Sequence, residues 1–201
     1  FEKLIKKNPK LVIMVDCGST SSEAVDYLNQ ENIKSLIIDH HEITKPFPKA
    51  NMIINPKKDN GYIEYDYLCA TSLTYFFLDI LVKKIQCKMN IRKYLIYVLL
   101  ATVCDVMPIR KLNRLIAINA LKEFDIRENL IIDELYKLCN KKNKININDL
   151  GYLIGPILNS GGRLGKSNYA SELLSSNDLK IIDIRSNDLI KLNNKRKMIE
   201  A

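Results

Sequence analysis

The sequence predicts an α/β fold: a parallel, Rossmann-like sheet, then a helical portion, then one long C-terminal helix. Three observations predict it. Leu11-Val12-Ile13-Met14-Val15 is a continuous apolar run that ends in Asp16-Cys17-Gly18. Ser35-Leu36-Ile37-Ile38 is a second, ending in Asp39-His40-His41, which contains both histidines of the chain. A third apolar run, from Leu95 to Cys104, ends in Asp105. Buried strands of a parallel sheet read as unbroken apolar runs, and their carboxyl ends open into the crevice where such sheets do chemistry.

The elements follow in order. Phe1–Pro9 is the end of a helix, stopped by Pro9. Leu11–Val15 is a strand. The small polar loop Gly18–Ser22 supplies Ser or Thr to cap a helix running to about Gln30, with Ala24, Val25 and Leu28 inward. Ser35–Ile38 is the next strand. Strand, helix and strand in so short a span form a right-handed βαβ unit, so both acidic tips face one sheet edge. Pro46-Phe47-Pro48 breaks the chain, and Met52–Ile54 is a short strand stopped by Asn55-Pro56, before a polar loop at Lys57–Tyr62. Helices are expected over Leu68–Lys84, Ile91–Val103, Lys111–Phe124, Leu130–Asn140 and Asn148–Leu158. A glycine-rich loop is expected at Asn159–Gly165, a short helix at Ala170–Leu174, and a long basic helix from Asp178 to Ala201. No internal repeat is visible.

The 201 residues carry a net charge of +8, which favours a polyanionic partner such as nucleic acid. The abundance of Ile, Lys and Asn along the chain is an alternative source of that charge. Five cysteines, Cys17, Cys69, Cys87, Cys104 and Cys139, form no CxxC pair and sit mostly in apolar runs. They read as reduced, buried thiols of a cytoplasmic protein, with neither a disulfide framework nor a zinc knuckle. The longest apolar stretch, Tyr94 to Cys104, is too short to span a bilayer. The chain opens on Phe1 rather than Met, within a Lys-rich helical pattern, as expected of a piece of a longer protein.

Carboxylate and imidazole together suit Mn²⁺, Fe²⁺ or Zn²⁺, and carboxylate-rich sites lean toward Mn²⁺ or Mg²⁺. Asp16, His40 and Asp105 are therefore candidate ligands, Asp16 having two oxygens with which to bridge two cations. The blander readings are a turn-capping Asp16, a pair of surface histidines and an exposed helix-end Asp105 beside Pro108. Asn159, Gly161, Gly162 and Arg163 lie in the glycine-rich stretch, where backbone N–H groups and a bidentate Arg suit a phosphate; a tight interhelical turn is the alternative.

Val15-Asp16-Cys17-Gly18, Asp39-His40-His41 and Thr102-Val103-Cys104-Asp105-Val106-Met107-Pro108 resemble, in this order, the second, third and fourth motifs of the DHH phosphoesterase superfamily. Asn55-Pro56, the Leu68–Phe77 helix, Asn113-Arg114, Gly155–Gly165 and the closing Leu192-Asn193, Arg196 and Glu200 resemble its RecJ-type branch of single-strand-specific 5′→3′ DNA exonucleases. The resemblance covers nearly the whole chain. It implies that Asp16 bridges two Mn²⁺ or Mg²⁺ ions, that His40 and Asp105 complete one ion's shell, and that Asp39 orients the histidines from behind. It places His41 beside the scissile phosphate, with Asn159, Gly161, Gly162 and Arg163 holding a substrate phosphate.

The resemblance also implies DNA repair and recombination as the setting and single-stranded DNA as the partner of a cytoplasmic, non-membrane monomer. A helicase or a single-strand-binding protein would be a further partner. Residues 1–176 correspond to the DHH catalytic domain and 177–201 to the start of a connecting helix. A first acidic motif would precede Phe1 and an accessory domain would follow Ala201, so residues 1–201 alone are expected to bind Mn²⁺ weakly and degrade little DNA. Two alternatives stand beside the exonuclease: a DHH hydrolase of pyrophosphate, a cyclic dinucleotide or a short oligonucleotide, and an inactive DNA-binding remnant.

Overall fold

The computed structural model describes residues 2–200; Phe1 and Ala201, the expected ends of the first and last helices, lie outside them. Two compact units divide between Ile116 and Ala117. The expected division at residues 176 and 177 is one of family correspondence, not of compactness.

In the first unit come α1 (Glu2–Ile5), β1 (Leu11–Val15), α2 (Ser22–Gln30), β2 (Lys34–Ile38) and β3 (Met52–Ile54). Then follow a 3-10 segment at Asn60–Tyr65, α3 (Ala70–Lys84), a second 3-10 segment at Ile91–Tyr94, α4 (Leu95–Cys104) and α5 (Lys111–Glu123), which contains the division. The sheet is parallel in the order β1-β2-β3. Its register aligns Val15 with Ile38 and Ile38 with Ile54, so the residues that follow each strand, Asp16, Asp39 and Asn55, reach the same edge. Central β2 is buried along Ser35–Ile38, as its unbroken apolar run requires. On one face of the sheet Val12, Leu28 and Ile33 form a core joined by Ile5 and Met14.

Helices α2, α3 and α4 end alike. The second residue past the helix adopts a left-handed backbone at Asn32, Gln86 and Val106, and the next amide donates to a carbonyl of the last turn. This Schellman closure satisfies carbonyls that would otherwise be orphaned. The expected single helix over 91–103 is divided, because its first turn is 3-10, with the Asn90 side chain accepting from the Arg92 amide. The expected polar loop at Lys57–Tyr62 contains the start of the 3-10 segment.

The second unit contains a 3-10 turn at Ile126–Glu128, α6 (Leu130–Leu138), α7 (Ile147–Asp149), a π turn at Leu150–Ile154, α8 (Gly155–Arg163), α9 (Asn168–Ser175) and α10 (Leu179–Glu200). Ile182, Ser186, Leu189 and Asn193 recur at helical spacing on α10 and are buried where it packs on α6, α8 and α9. The expected glycine-rich loop is a correction. Asn159–Arg163 is the second half of α8, and only Leu164-Gly165 turns, with Gly165 at φ +75° and the Lys166 amide donating to the Gly161 carbonyl at 2.7 Å. Gly161 stays helical because the space is needed: a Cβ there would come within 2.7 Å of the Lys166 carbonyl oxygen and 3.1 Å of Leu189. Gly161→Ala is expected to lower stability by about 1–3 kcal/mol, read from the urea midpoint; an unchanged midpoint would show that the turn gives way freely.

All five cysteines are free, but only Cys69 is buried; Cys17 and Cys87 are exposed, which corrects the expectation of buried thiols. Among the described residues no helix is long and apolar enough to cross a membrane.

Candidate metal centre

Two ladder hydrogen bonds carry the sheet one residue past its strands. The Asp16 amide donates to Ile38 and the Asp39 amide to Ile54, each at 3.0 Å. Both acids are thus held by backbone at the sheet edge while their side chains leave it. Asp16 has φ +62°, a left-handed conformation that Asp tolerates better than most residues. Gly18, at φ +110°, lets the chain turn back closely over Ile37, which a Cβ would meet at 3.1 Å. That turn delivers the Ser19 amide to Asp39.

Asp39 is 1% exposed and is the hub of the site. Its Oδ2 accepts from the Ser19 amide at 3.0 Å. Its Oδ1 accepts from the His40 and His41 amides at 2.8 and 3.2 Å, and lies 2.7 Å from His41 Nδ1. Burial by itself would raise the carboxyl, but hydrogen bonds from Ser19 and His41 outweigh it and hold Asp39 well below the usual carboxylate range. Because an ionised carboxylate only accepts, the proton of His41 sits on Nδ1 and Nε2 remains for another partner. The Asp39 hydrogen bond also lifts His41 above the ordinary imidazole range against some desolvation, with the negative charges of Asp16 and Asp105 adding to it.

Ser19 and Asn55 are residues to which the sequence reading gave no role in the site, although Asn55-Pro56 was among the motifs of the resemblance. Buried Asn55 donates to the Ser19 hydroxyl at 2.8 Å and to the His41 carbonyl at 2.9 Å, while its Oδ1 accepts from the Lys57 amide at 2.9 Å. It braces the turn after β1 against the turn after β2.

His40 Nε2 stands 3.3 Å from Asp16 Oδ1. Asp16, His40 and His41 each offer a donor atom, all within 4.8 Å of one another. A cation with bonds of about 2.1 Å separates opposite donors by about 4.2 Å, so this set fits one ion after small side-chain rotations. The expected trio had Asp105 in place of His41. Asp105 caps α4, its amide donating to Ala101 at 2.9 Å, and it lies outside the tight group. It is still coupled to the group by charge: partial desolvation first, then Asp16, push its carboxyl above the usual range, while His40 and His41 pull it down. A local excess of negative charge in a chain of net charge +8 is what a cation would relieve. Burial first, then Asp39 and Asp16, hold the neighbouring Cys17 thiol up, so it is a poor thiolate ligand.

Val106, immediately after Asp105, is a β-branched residue at φ +55° and is 87% exposed. Left-handed backbone costs such a residue roughly 1–2 kcal/mol. Val106→Asn is therefore expected to raise stability by about 0.5–1 kcal/mol, read from the denaturant midpoint; a lowered midpoint would mean that the side chain makes a contact worth more than the strain.

Asn159, Gly161, Gly162 and Arg163 belong to the second unit, on α8. Asn159, Gly162 and Arg163 are exposed at helical spacing, and Gly161 is buried. Their amides lie within a helix rather than in an open loop, so no backbone phosphate cradle forms there. Any phosphate contact from this segment rests on the Asn159 and Arg163 side chains.

Residues 1–102 match the family model described as DHH family, N-terminal domain. The single-stranded-DNA-specific exonuclease RecJ of Haemophilus influenzae is 30% identical over 210 residues, covering 100% of this chain and 36% of that protein. The protein of that name in Dickeya dadantii is 28% identical over 209 residues, covering 97% and 36%. The chain thus spans about a third of the length of these relatives. The crystal structure of RecJ in complex with Mn²⁺ from Thermus thermophilus superposes with a TM-score of 0.86 at 20% identity, over 99% of this chain and 30% of that one, which shows the fold.

Proposed function

The chain belongs to the DHH family, of RecJ type, and on that footing we propose that it forms part of a metal-dependent phosphodiesterase acting on single-stranded DNA. In this reading it is a 5′→3′ exonuclease releasing 5′-mononucleotides in DNA repair and recombination, and a cytoplasmic monomer. A helicase or single-strand-binding protein would supply its substrate. The observation that carries the reading is the Asp16–His40–His41 group, with Asp105 electrostatically coupled to it, at the carboxyl edge of a parallel sheet.

Asp16 and His40, which stand together, would hold Mn²⁺ or Mg²⁺, and Asp105, outside the tight group, would join them by a side-chain shift, with Asp16 shared if two ions bind. A bound divalent cation supplies the positive charge that lowers the pKa of water and offsets charge gathering on phosphoryl oxygens. The chain's own residues set the geometry. Asp39 holds His41 by Nδ1, so Nε2 would be left to face the scissile phosphate. Asn55 and Ser19 keep Asp39 from turning. Side chains of Asn159 and Arg163 would contact a substrate phosphate.

The test offers the protein single-stranded DNA, duplex DNA, pyrophosphate and a cyclic dinucleotide, each with Mn²⁺ and with EDTA. Mononucleotide release from the single strand, abolished by EDTA, is expected of the intact protein of which this chain would form part, and little release from residues 1–201 alone. Preferential turnover of pyrophosphate or the cyclic dinucleotide would overturn the polymer assignment, and cleavage in EDTA would overturn the metal.

A further inference from the structure

The loop between His41 and β3, together with Lys58 from the turn after β3, forms a basic and aromatic patch with no part in the chemistry described above. The ammonium groups of Lys45 and Lys58 lie 5.9 and 5.7 Å from the centroid of the Phe47 ring. Lys45 is four residues beyond His41, and Lys58 three beyond Asn55, so both leave the sheet edge that carries the acidic group. Neither lysine is ion-paired among the described residues, whereas neighbouring Lys57 is neutralised by Glu42 at 2.6 Å. The loop is tied down: Asn29 donates to the Lys49 carbonyl at 3.1 Å, and the Ser35 amide to the Asn51 side chain at 2.8 Å.

Two like charges gathered on one ring repel each other, and the ring's negative face offsets this only in part. An anion beside them completes the arrangement. The catalytic edge itself is acidic and repels a phosphate chain, so a strand entering it needs a positive flank. We propose that Lys45 and Lys58, held over Phe47, form a phosphate-backbone subsite that receives single-stranded nucleic acid beside the metal centre. This rests on the nuclease reading, but it concerns binding and not cleavage. Lys45 lies within about 14 Å of His41 along the chain, close enough for one strand to occupy both.

The experiment measures anisotropy of a fluorescein-labelled oligodeoxythymidylate about 12 nucleotides long, a span typical of single-strand sites. It is run in EDTA, so nothing is cleaved, between about 50 and 200 mM salt. Each phosphate contact on a single strand contributes about 0.7 to the slope of log K against log salt, so Lys45→Ala/Lys58→Ala is expected to lower the slope by about 1.4. Phe47→Leu keeps both charges and is expected to weaken binding about two- to fivefold with the slope unchanged. An unchanged slope in the double variant, or no salt-dependent binding by the unmodified protein, overturns the subsite. Cleavage in Mn²⁺ alongside an unchanged slope leaves the nuclease reading standing without the subsite. A lowered slope alongside no cleavage by the intact protein leaves the subsite standing and overturns the nuclease.

Discussion

In the intact protein of which this chain would form part, Asp16→Asn is expected to cut Mn²⁺-dependent release of nucleotides from single-stranded DNA by at least about 10³-fold while leaving the protein as stable as before, or slightly more so. The first half follows from charge. A cation stabilises the transition state by several kcal/mol, and each 1.36 kcal/mol is a factor of ten, so loss of a charged ligand from the small Asp16–His40–His41 group removes most of the effect. The second half follows from backbone. Asp16 sits at φ +62°, and Asn tolerates left-handed backbone at least as well. Its side chain is 58% exposed, so the carboxylate that is neutralised is not itself a buried charge. Activity and melting temperature are measured on the same preparation. Retained activity would remove Asp16 from the mechanism, and a large loss of stability would make it a structural residue.

The parts of this site legible in sequence were those that end an element. β1 and β2 are unbroken apolar runs, and an acid after such a run must emerge at the sheet edge, so Asp16 and Asp39 were placed without coordinates. What lay beyond reach was how the tips meet. His40 and His41 are adjacent, and an extended strand would send them to opposite faces. Here the chain leaves the ladder at Asp39, and the two rings lie 4.7 Å apart. His41 therefore joins Asp16 and His40, where the expected third member was Asp105. Ser19 looked like a capping candidate with its neighbours. Instead Ser21 is the N-cap of α2 and makes no side-chain capping bond, while Ser19 serves Asp39. The glycine-rich stretch failed for a different reason. Glycine's helix penalty of about 1 kcal/mol is a weak local preference, and at Gly161 it yields to the close approach of Leu189 and the Lys166 carbonyl.

Asp39→Asn is expected to be the most destabilising substitution in the site, by about 2–4 kcal/mol, because it touches four donors at once. The amides of Ser19, His40 and His41 and the His41 ring all point at its two oxygens. An Asn side chain retains one acceptor and turns an NH₂ toward the others, setting donor against donor. The pH dependence gives the sharper check. Asp39 has a folded pKa below the unfolded value of about 3.9, so its stabilisation is present above that pH and is lost as pH falls through the folded pKa. His41 runs the other way. Its folded pKa is raised, so the contribution of its protonated form is complete below the unfolded pKa of about 6.5 and fades as pH rises through the folded value. Urea midpoints in EDTA should therefore decline for the unmodified protein from about pH 6.5 upward, and this decline should flatten in Asp39→Asn, whose His41 has lost the partner that raised it. Mn²⁺ affinity should fall about 10–100-fold in the same variant, the usual penalty for freeing a ligand from its orienting carboxylate. A variant with unchanged midpoints but weakened Mn²⁺ binding would make Asp39 an orienting group only; unchanged Mn²⁺ binding with lowered midpoints would make it purely a structural hub.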